Sequence, residues 1–126
     1  MNMARAGIRR GDVVIVDLVG SVGSEMQNHS IGQGRPCVVV KNDRINASSP
    51  VTIVVPVTDV AAYKPHLPIH VAVIGADQGP LKKPSVIDCG QVRSIDRKER
   101  IRRNLGAMPE PVMKRVNNAL RVSLAS

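Results

Sequence analysis

The stretch VTIVVPVT, residues 51–58, decides the fold, because every residue in it except Pro56 is β-branched. Branched side chains pack well on the pleated surface of a sheet, so the stretch predicts a strand. Pro56 has no N–H to donate to a neighbouring strand, and this predicts an edge strand or a bulge at its position.

Four further apolar runs, separated by turn residues, predict additional strands. The longest spans residues 85–95, and Gly90 is its candidate break. The first two runs are separated by GSVGSEMQNHSIGQG (20–34), a loop whose length suggests a function. The four runs are DVVIVDLV (12–19), CVVVKND (37–43), IHVAV (69–73) and SVIDCGQVRSI (85–95).

The C-terminal segment predicts an amphipathic helix, with apolar residues at helical spacing on one face and polar residues on the other. Pro109 and Pro111 fit its first turn, where a missing N–H does no harm. Upstream, Asp96 is a candidate N-cap of a short helical turn, whereas residues 100–108 fit a strand or a helix. The apolar face consists of Met113, Val116, Leu120 and Leu124.

Together these segments predict a mainly β (α+β) protein, a small and strongly bent antiparallel β-barrel with one C-terminal helix. At 126 residues the chain has the size of a single domain, which we expect to span 1–126. Residues 1–8 form a basic leader that we expect to be flexible.

The composition predicts a phosphate-rich partner. The formal charge is +8, the sequence pI is about 10.3 and arginine outnumbers lysine. Guanidinium groups pair bidentately with phosphate oxygens, so a nucleic acid is the expected partner. A basic surface can also serve only solubility or acidic proteins. Since Tyr63 is the only aromatic residue, a sheet surface that stacks bases is not expected.

Two features of the sequence favour a cytoplasmic protein without a membrane anchor. The N-terminus lacks the apolar core of a signal peptide, and no apolar run is long enough to cross a bilayer. Cys37 and Cys89 lie inside apolar runs, so we expect buried free thiols. We predict no cofactor and no metal site, because His29, His66 and His70 do not align with carboxylates at metal spacing.

The segment GQGRPCVVVKND (32–43) places Arg35 between a glycine-rich turn and a strand. Arg35 is either a solvated turn residue in a surface salt bridge or a cation that the turn presents to a partner. His66 and His70 could suggest two-histidine ribonuclease chemistry, but a loop histidine and a strand histidine at this spacing are more often structural. Beyond Arg93, the cations of RSIDRKERIRR (93–103) fit a solvated face.

Taken in order, the segments of the chain resemble the MazF/PemK family of toxin endoribonucleases, the mRNA interferases of type II toxin–antitoxin systems. No single segment is specific to the family, but the occurrence of all the segments in the same order with short gaps is specific. They are RRGDVVIVDL (9–18), GSE (23–25), GRPCVVVKND (34–43), SPVTIVVPVT (49–58), HLPIHV (66–71), PSVIDCGQVRSID (84–96) and VNNALRVSLA (116–125).

The resemblance implies an SH3-like barrel that forms a homodimer, cuts single-stranded mRNA without a metal and is held inactive by an acidic antitoxin. Its catalytic arginine, in an RP motif, matches Arg35, and its catalytic threonine matches Thr58. Without a metal the nucleophile is the 2′-hydroxyl of the RNA, so we expect 2′,3′-cyclic phosphate and 5′-hydroxyl products. Under this resemblance, the turn presents Arg35 to a phosphate.

Two departures from the family pattern concern the site. The acidic residue that commonly precedes the glutamine of the xQxR motif is Gly90 here, and Asp88 would share its face of a regular strand. Asp88 is therefore a candidate proton acceptor. The loop before Arg35 is longer than usual, so the base preference does not carry over. The expected RNA-binding residues are Ser24, Glu25, Asn42, Lys64, Gln91 and Arg93.

Two other functions are compatible with this fold. One is a protein-binding toxin resembling the CcdB gyrase poisons, which would not need Arg35 and Thr58. The other is a non-catalytic module that binds RNA or the antitoxin. This alternative stays open because Gly90 stands at the position that is commonly acidic in the family. Toxicity that survives Arg35→Ala would identify the first, and RNA binding without cleavage would identify the second.

Overall fold

The computed structural model describes residues 7–18 and 34–125. Antiparallel strands and a C-terminal helix dominate this part of the chain. The strands are β1 (Asp12–Val16), β2 (Arg35–Val39), β3 (Val51–Asp59), β4 (His70–Val73), β5 (Ser85–Asp88), β6 (Arg93–Asp96) and β7 (Ile101–Ala107). The helices are α1 (Asp43–Asn46), α2 (Arg97–Arg100) and α3 (Glu110–Leu124), and 3₁₀ turns lie at Val60–Ala62 and Gly75–Gln78.

The described strands form one sheet in the order β4-β5-β3-β2-β1-β7, and β6 also pairs with β3. This confirms the mainly β (α+β) class with a C-terminal helix. The sheet of the described residues is not closed into a complete barrel. The physical reason is that β6 pairs with β3 and β7 with β1, while α2 separates these two consecutive strands.

Strand β3 is shared by two neighbours on one side. It pairs with β2 along one side, and on the other side with β6 over residues 51–54 and with β5 over 57–59. Pro56 lies in the middle of this strand and is buried. The prediction of an edge position is therefore wrong.

The hydrogen-bond pattern explains why β3 tolerates Pro56. Pro56 lies opposite Cys37, and Val40 donates its N–H to the Ile53 carbonyl. Because paired and unpaired positions alternate along an antiparallel ladder, the nitrogen of Pro56 faces away from β2. On that side the partner changes from β6 to β5 at residues 55–56. The missing N–H thus falls in the gap between two partners.

The predicted strand boundaries shift at β1 and β2. β1 ends at Val16 rather than at residue 19, and β2 ends at Val39 rather than at residue 43. The chain leaves β2 early because Asn42 caps α1, with its side-chain oxygen accepting the Arg44 N–H at 2.8 Å.

Three local predictions are confirmed. The run 85–95 is broken around Gly90 into β5 and β6. Asp96 caps α2, since its side chain accepts the N–H groups of Lys98 and Glu99. The C-terminal helix begins after Pro109. The ambiguous segment 100–108 forms β7 because it pairs with β1.

Apolar side chains form two clusters on opposite faces of the sheet. The helix-side cluster lies between the sheet and α3, and it includes Val55 and Val57 of β3 together with Val112 and Val116 of α3. The second cluster lies on the other face, and it includes Val54 of β3. Because successive side chains of β3 point to opposite faces of the sheet, this one strand contributes to both clusters.

The two ends of the described chain differ from the expectations. Ile8, which the sequence assigned to the leader, is buried in the second cluster, and residues 1–6 of that leader lie outside the described residues. Leu124 is 68% exposed, so the buried stripe of α3 stops before it. Of the predicted loop 20–34, only Gly34 is described. No described helix is long and apolar enough to cross a membrane.

Candidate active site

Arg35 begins β2 after a glycine that the local packing requires. Gly34 has φ of +83°, and a Cβ added to it would lie 2.7 Å from the carbonyl oxygen of Val16. Only glycine combines this backbone conformation with so close an approach. Val16 is also the partner of Arg35 in β1. The turn therefore fixes the backbone of Arg35 against the sheet.

The guanidinium of Arg35 is anchored to the neighbouring strand, donating to the Val57 carbonyl at 3.0 Å. Carried one residue beyond Cys37–Pro56, the β2–β3 register sets Pro36 opposite Val57, at a position where partners exchange hydrogen bonds. Pro36 has no N–H to donate. The carbonyl of Val57 is thus left to the guanidinium, which gives the Arg-Pro sequence a structural role.

Thr58 lies beside Arg35. The same register, carried one residue further, sets Thr58 directly across from Arg35. Side chains at such a position share one face of the sheet, with Cβ atoms about 5 Å apart. Thr58 is half-buried near the end of β3. The structure therefore brings together the two residues that the RP and threonine motifs singled out.

Three more polar side chains share this face. Arg93 lies opposite Val54, which belongs to the second cluster. Thr58 lies opposite Val86, two residues before Asp88, and Asp88 lies opposite His70 in β4. Because alternate residues of a strand point to the same face, these side chains form a row that we call the polar strip. It comprises Arg35, Thr58, Asp88, His70 and Arg93.

The second cluster lies beneath the cations of the strip. Burial lowers the pKa of the Arg35 guanidinium, while the adjacent Cys37 thiol has the opposite effect. Arginine nevertheless stays charged in proteins. Burial also raises the pKa of Cys37 to about 12, against the opposing effect of Arg35 and Arg93. Cys37 and Cys89 are buried free thiols, as predicted, and Cys37 is a neutral group rather than a nucleophile.

The carboxylate of Asp88 lies next to the place where a side chain at position 90 would begin. Its Oδ1 accepts the Gly90 N–H at 2.9 Å, and its Oδ2 lies 3.4 Å from Nε2 of Gln91. A Cβ added to Gly90 would lie 3.2 Å from that Oδ1 and 2.5 Å from Cδ1 of Ile69. Asp88 therefore brings a carboxylate close to the acidic position of the family motif.

His70, which the sequence led us to consider only together with His66 and to interpret as structural, is a member of the strip. Its Nε2 lies 3.7 Å from Oδ2 of Asp88, and its Nδ1 accepts the Lys64 N–H at 3.1 Å. His66, by contrast, is exposed in the loop before β4. The alternation in IHVAV predicts that His70 points to the other face of β4 from the buried valines. Only the β4–β5 register shows that His70 is the cross-strand partner of Asp88.

The other predicted RNA-binding residues are placed unevenly. Gln91 contacts Asp88, and Arg93 belongs to the strip. The side chain of Lys64 is exposed. Asn42 lies beyond the far end of β2, where it caps α1, so the structure does not bring it near Arg35. Ser24 and Glu25 lie outside the described residues.

A cleft of about 480 Å³ includes Thr58 in its lining, but most of its walls belong to the helix-side face of the sheet, away from the polar strip. Its other walls include Pro36 and Val57, and Lys82, Lys83 and Arg103 bring cationic side chains to it. Lys83 pairs with Asp59 at 3.1 Å. Within residues 7–18 and 34–125, no group of three or more His, Cys, Asp or Glu side chains is arranged to hold a metal ion.

The chain matches the family of PemK-like, MazF-like toxins of type II toxin–antitoxin systems over residues 9–124. It is similar to the endoribonuclease MazF of Staphylococcus epidermidis, with 41% identity over 117 residues that cover 93% of this chain and 91% of that protein. These matches favour the nuclease over the gyrase-type alternative.

Solved structures show the same fold. An endoribonuclease in complex with its cognate antitoxin, from a mycobacterial species, aligns with a TM-score of 0.72 at 21% identity, covering 94% of this chain and 95% of that one. MazF from Deinococcus radiodurans aligns with a TM-score of 0.72 at 19% identity, covering 94% and 97%. The family match extends from before β1 to the end of α3, and the chain therefore belongs to the PemK/MazF family of toxins of type II toxin–antitoxin systems.

Proposed function

We propose that this endoribonuclease of the toxin family cuts single-stranded mRNA at short sequences, without a metal ion, through attack by the RNA's own 2′-hydroxyl. The observation that carries the proposal is the placement of Arg35 opposite Thr58 on one face of the sheet. Both side chains are held by strands, as a preorganised site requires.

The reaction joins the 2′ oxygen to the adjacent phosphorus while the bond from phosphorus to the 5′ oxygen breaks. Its products are a 2′,3′-cyclic phosphate and a 5′-hydroxyl. Negative charge builds on the non-bridging oxygens during this exchange. The Arg35 guanidinium and the Thr58 hydroxyl stabilise that charge. Arginine does not act as the base, because its guanidinium does not deprotonate in proteins.

Asp88 accepts the proton of the attacking 2′-hydroxyl, and solvent supplies a proton to the departing 5′ oxygen. Support for this role comes from the carboxylate's contact with the Gly90 N–H, next to the motif position that is acidic in the family. Gln91 and Arg93 contact the RNA beside the cleavage site, and Lys64 contacts it from the rim.

The partners and location that fit this reaction are those of the family. The protein acts in the cytoplasm as a homodimer, and an acidic antitoxin holds it inactive. A formal charge of +8 suits both mRNA and such an antitoxin. The mycobacterial relative was solved with its cognate antitoxin, which supports the same kind of partner here.

The proposal is tested by incubating a long unstructured RNA with the wild type and with Arg35→Ala in EDTA, and by mapping the products and their end groups. We expect cleavage at a short recurrent sequence with cyclic-phosphate ends, reduced about 10²–10³-fold in the variant because one charge-stabilising group is lost. An all-deoxy oligonucleotide of the cleaved sequence should stay intact.

Three results would contradict the mechanism. Cleavage of the all-deoxy oligonucleotide would exclude attack by a 2′-hydroxyl. Activity that EDTA abolishes and magnesium restores would exclude a metal-free reaction. Full activity of a folded Arg35→Ala variant would remove Arg35 from the site.

A further inference from the structure

We propose that His70 is a positioning residue for the cleavage reaction, holding the Asp88 carboxylate in the orientation that lets it accept a proton. The inference rests on the catalytic role proposed for Asp88, and it assigns a function to a histidine outside the RP and xQxR motifs. Its basis is the set of contacts that surrounds the His70 ring and the carboxylate.

The orientation of the His70 ring is fixed by a hydrogen bond on the side away from Asp88. Its Nδ1 accepts the backbone N–H of Lys64 at 3.1 Å. A neutral imidazole that accepts at one nitrogen carries its proton on the other. The Nε2–H group of His70 therefore faces Oδ2 of Asp88, at an N–O separation of 3.7 Å. This separation exceeds a direct hydrogen bond, so the contact is electrostatic, with an N–H dipole beside a carboxylate.

The groups that face the Asp88 carboxylate come from two sides. From β4 it meets His70, and from the link between β5 and β6 it meets the Gly90 N–H and the Gln91 side chain. The neighbouring Cys89 thiol, whose pKa is raised to about 12 by burial and by Asp88, stays protonated. Arg35 and Arg93 lie on the same face of the sheet.

The groups that face His70 come from the segment before β4. They are the Tyr63 ring, whose centroid lies 6.4 Å away, and the Lys64 backbone. The Lys64 N–H thus points at the His70 ring, while the N–H groups of Gly90, Gln91 and His70 point at the Asp88 carboxylate.

Burial gives the contact more weight than a surface pair would have. The side chains of His70 and Asp88 are only 10% and 9% exposed, and the two residues are partners in the β4–β5 register. Exposed ion pairs contribute little because solvent screens them. A dipole held against a nearly buried carboxylate by two paired strands is screened less. His70 can therefore control where the Asp88 oxygens point.

The experiment measures single-turnover cleavage of one mapped RNA site over roughly pH 5 to 8, the range in which an imidazole ordinarily titrates. The variants are Asp88→Asn, His70→Leu and His70→Gln, with His66→Gln as the matched control in the exposed loop. His70→Gln tests conservative rescue, because a glutamine amide nitrogen can replace Nε2 as the donor. Thermal unfolding of every variant establishes that it is folded.

We expect Asp88→Asn to lose about 10²–10³-fold, within the usual contribution of a general base. His70→Leu should lower the rate about tenfold at the acid end of the profile and less at its neutral end. KM should change little, because the role proposed for His70 is to orient Asp88 and not to bind RNA. His70→Gln should recover most of the rate, and His66→Gln should match the wild type.

The outcomes separate this inference from the role of Asp88. Wild-type activity in Asp88→Asn would overturn both. If Asp88→Asn is inactive while His70→Leu keeps the wild-type rate at every pH, only the role of His70 is overturned. An equal loss at every pH in His70→Leu, without recovery in His70→Gln, would reduce His70 to structural support of β4 and also overturn the inference.

Discussion

The position of the Arg35 side chain depends on the residue that follows it. Pro36 leaves the Val57 carbonyl without a backbone donor, and the guanidinium takes that acceptor at 3.0 Å. A proline in a strand usually only removes a hydrogen bond from the ladder. Here the missing N–H leaves an acceptor on β3, and that acceptor holds the Arg35 side chain against the strand that carries Thr58.

This tether predicts that Pro36→Ala impairs cleavage in a folded protein. The alanine N–H would compete for the Val57 carbonyl and release the guanidinium. We expect a loss of about tenfold or more in cleavage rate, below the 10²–10³-fold of losing a charge-stabilising group entirely. The free energy of unfolding should change by less than about 1 kcal/mol, because one hydrogen bond to Val57 replaces another and the stiffness that proline gives the unfolded chain is lost.

Pro65→Ala provides the control, because Pro65 is exposed in a loop and shares only the effect on the unfolded chain. Cleavage rates and urea unfolding of both variants decide the matter. An active Pro36→Ala enzyme would show that Arg35 does not need this tether.

Among the structural elements, the junction of β1 and β2 depends most sharply on one glycine. Gly34 has φ of +83° and approaches the Val16 carbonyl, whereas Gly75 has φ of +63° with nothing within 4 Å of an added Cβ. Gly75→Ala should lower the free energy of unfolding by about 1–2 kcal/mol, the conformational effect alone. Gly34→Ala should lower it further and reduce cleavage, because the start of β2 must shift. Equal losses in the two variants, measured by urea unfolding, would contradict the close approach.

The strands show how far local sequence determines this fold. Valine-rich runs and turn residues were sufficient to predict β1, β3 and the break at Gly90, because those signals are local. The interior position of Pro56 depends on strands that are distant in the chain, and so does the formation of a strand rather than a helix at β7. No local pattern contains this information. The end of β2 was predicted too late, because Asn42 was assigned to the strand and instead caps α1.

The candidate site follows the same division. Arg35 and Thr58 were found through motifs, and the structure places them together. His70 was interpreted as structural from the sequence, because only the β4–β5 register sets it against Asp88. A histidine in an apolar strand gives no sign of which carboxylate will lie on the next strand.

At the level of the whole molecule, the two buried thiols predict a loss of stability in alkali. Burial raises the pKa of Cys37 and of Cys89 from 9.0 to about 12. Below pH 9.0 both thiols are protonated in the folded and the unfolded chain. Between these values only the unfolded chain releases the protons, so the free energy of unfolding falls as pH rises, by up to about 1.4 kcal/mol per thiol and pH unit.

Urea unfolding at several pH values above 9.0 measures this slope. Cys37→Ala should give a shallower slope than the wild type, even though the smaller side chain lowers stability at neutral pH. Other groups titrate equally in both proteins and cancel in the comparison. Identical slopes would show that the Cys37 thiol ionises as readily in the folded chain as in the unfolded one.

Strand β3 contributes Val54 to one apolar cluster and Val55 and Val57 to the other. Opening either cluster exposes side chains of this strand, so β3 is coupled to the packing on both faces of the sheet. In amide hydrogen exchange, the backbone of β3 should therefore exchange only through complete unfolding. Thr58, to which the proposed mechanism assigns a role in cleavage, would then lie on the slowest-exchanging segment of the described residues, in the part that opens last.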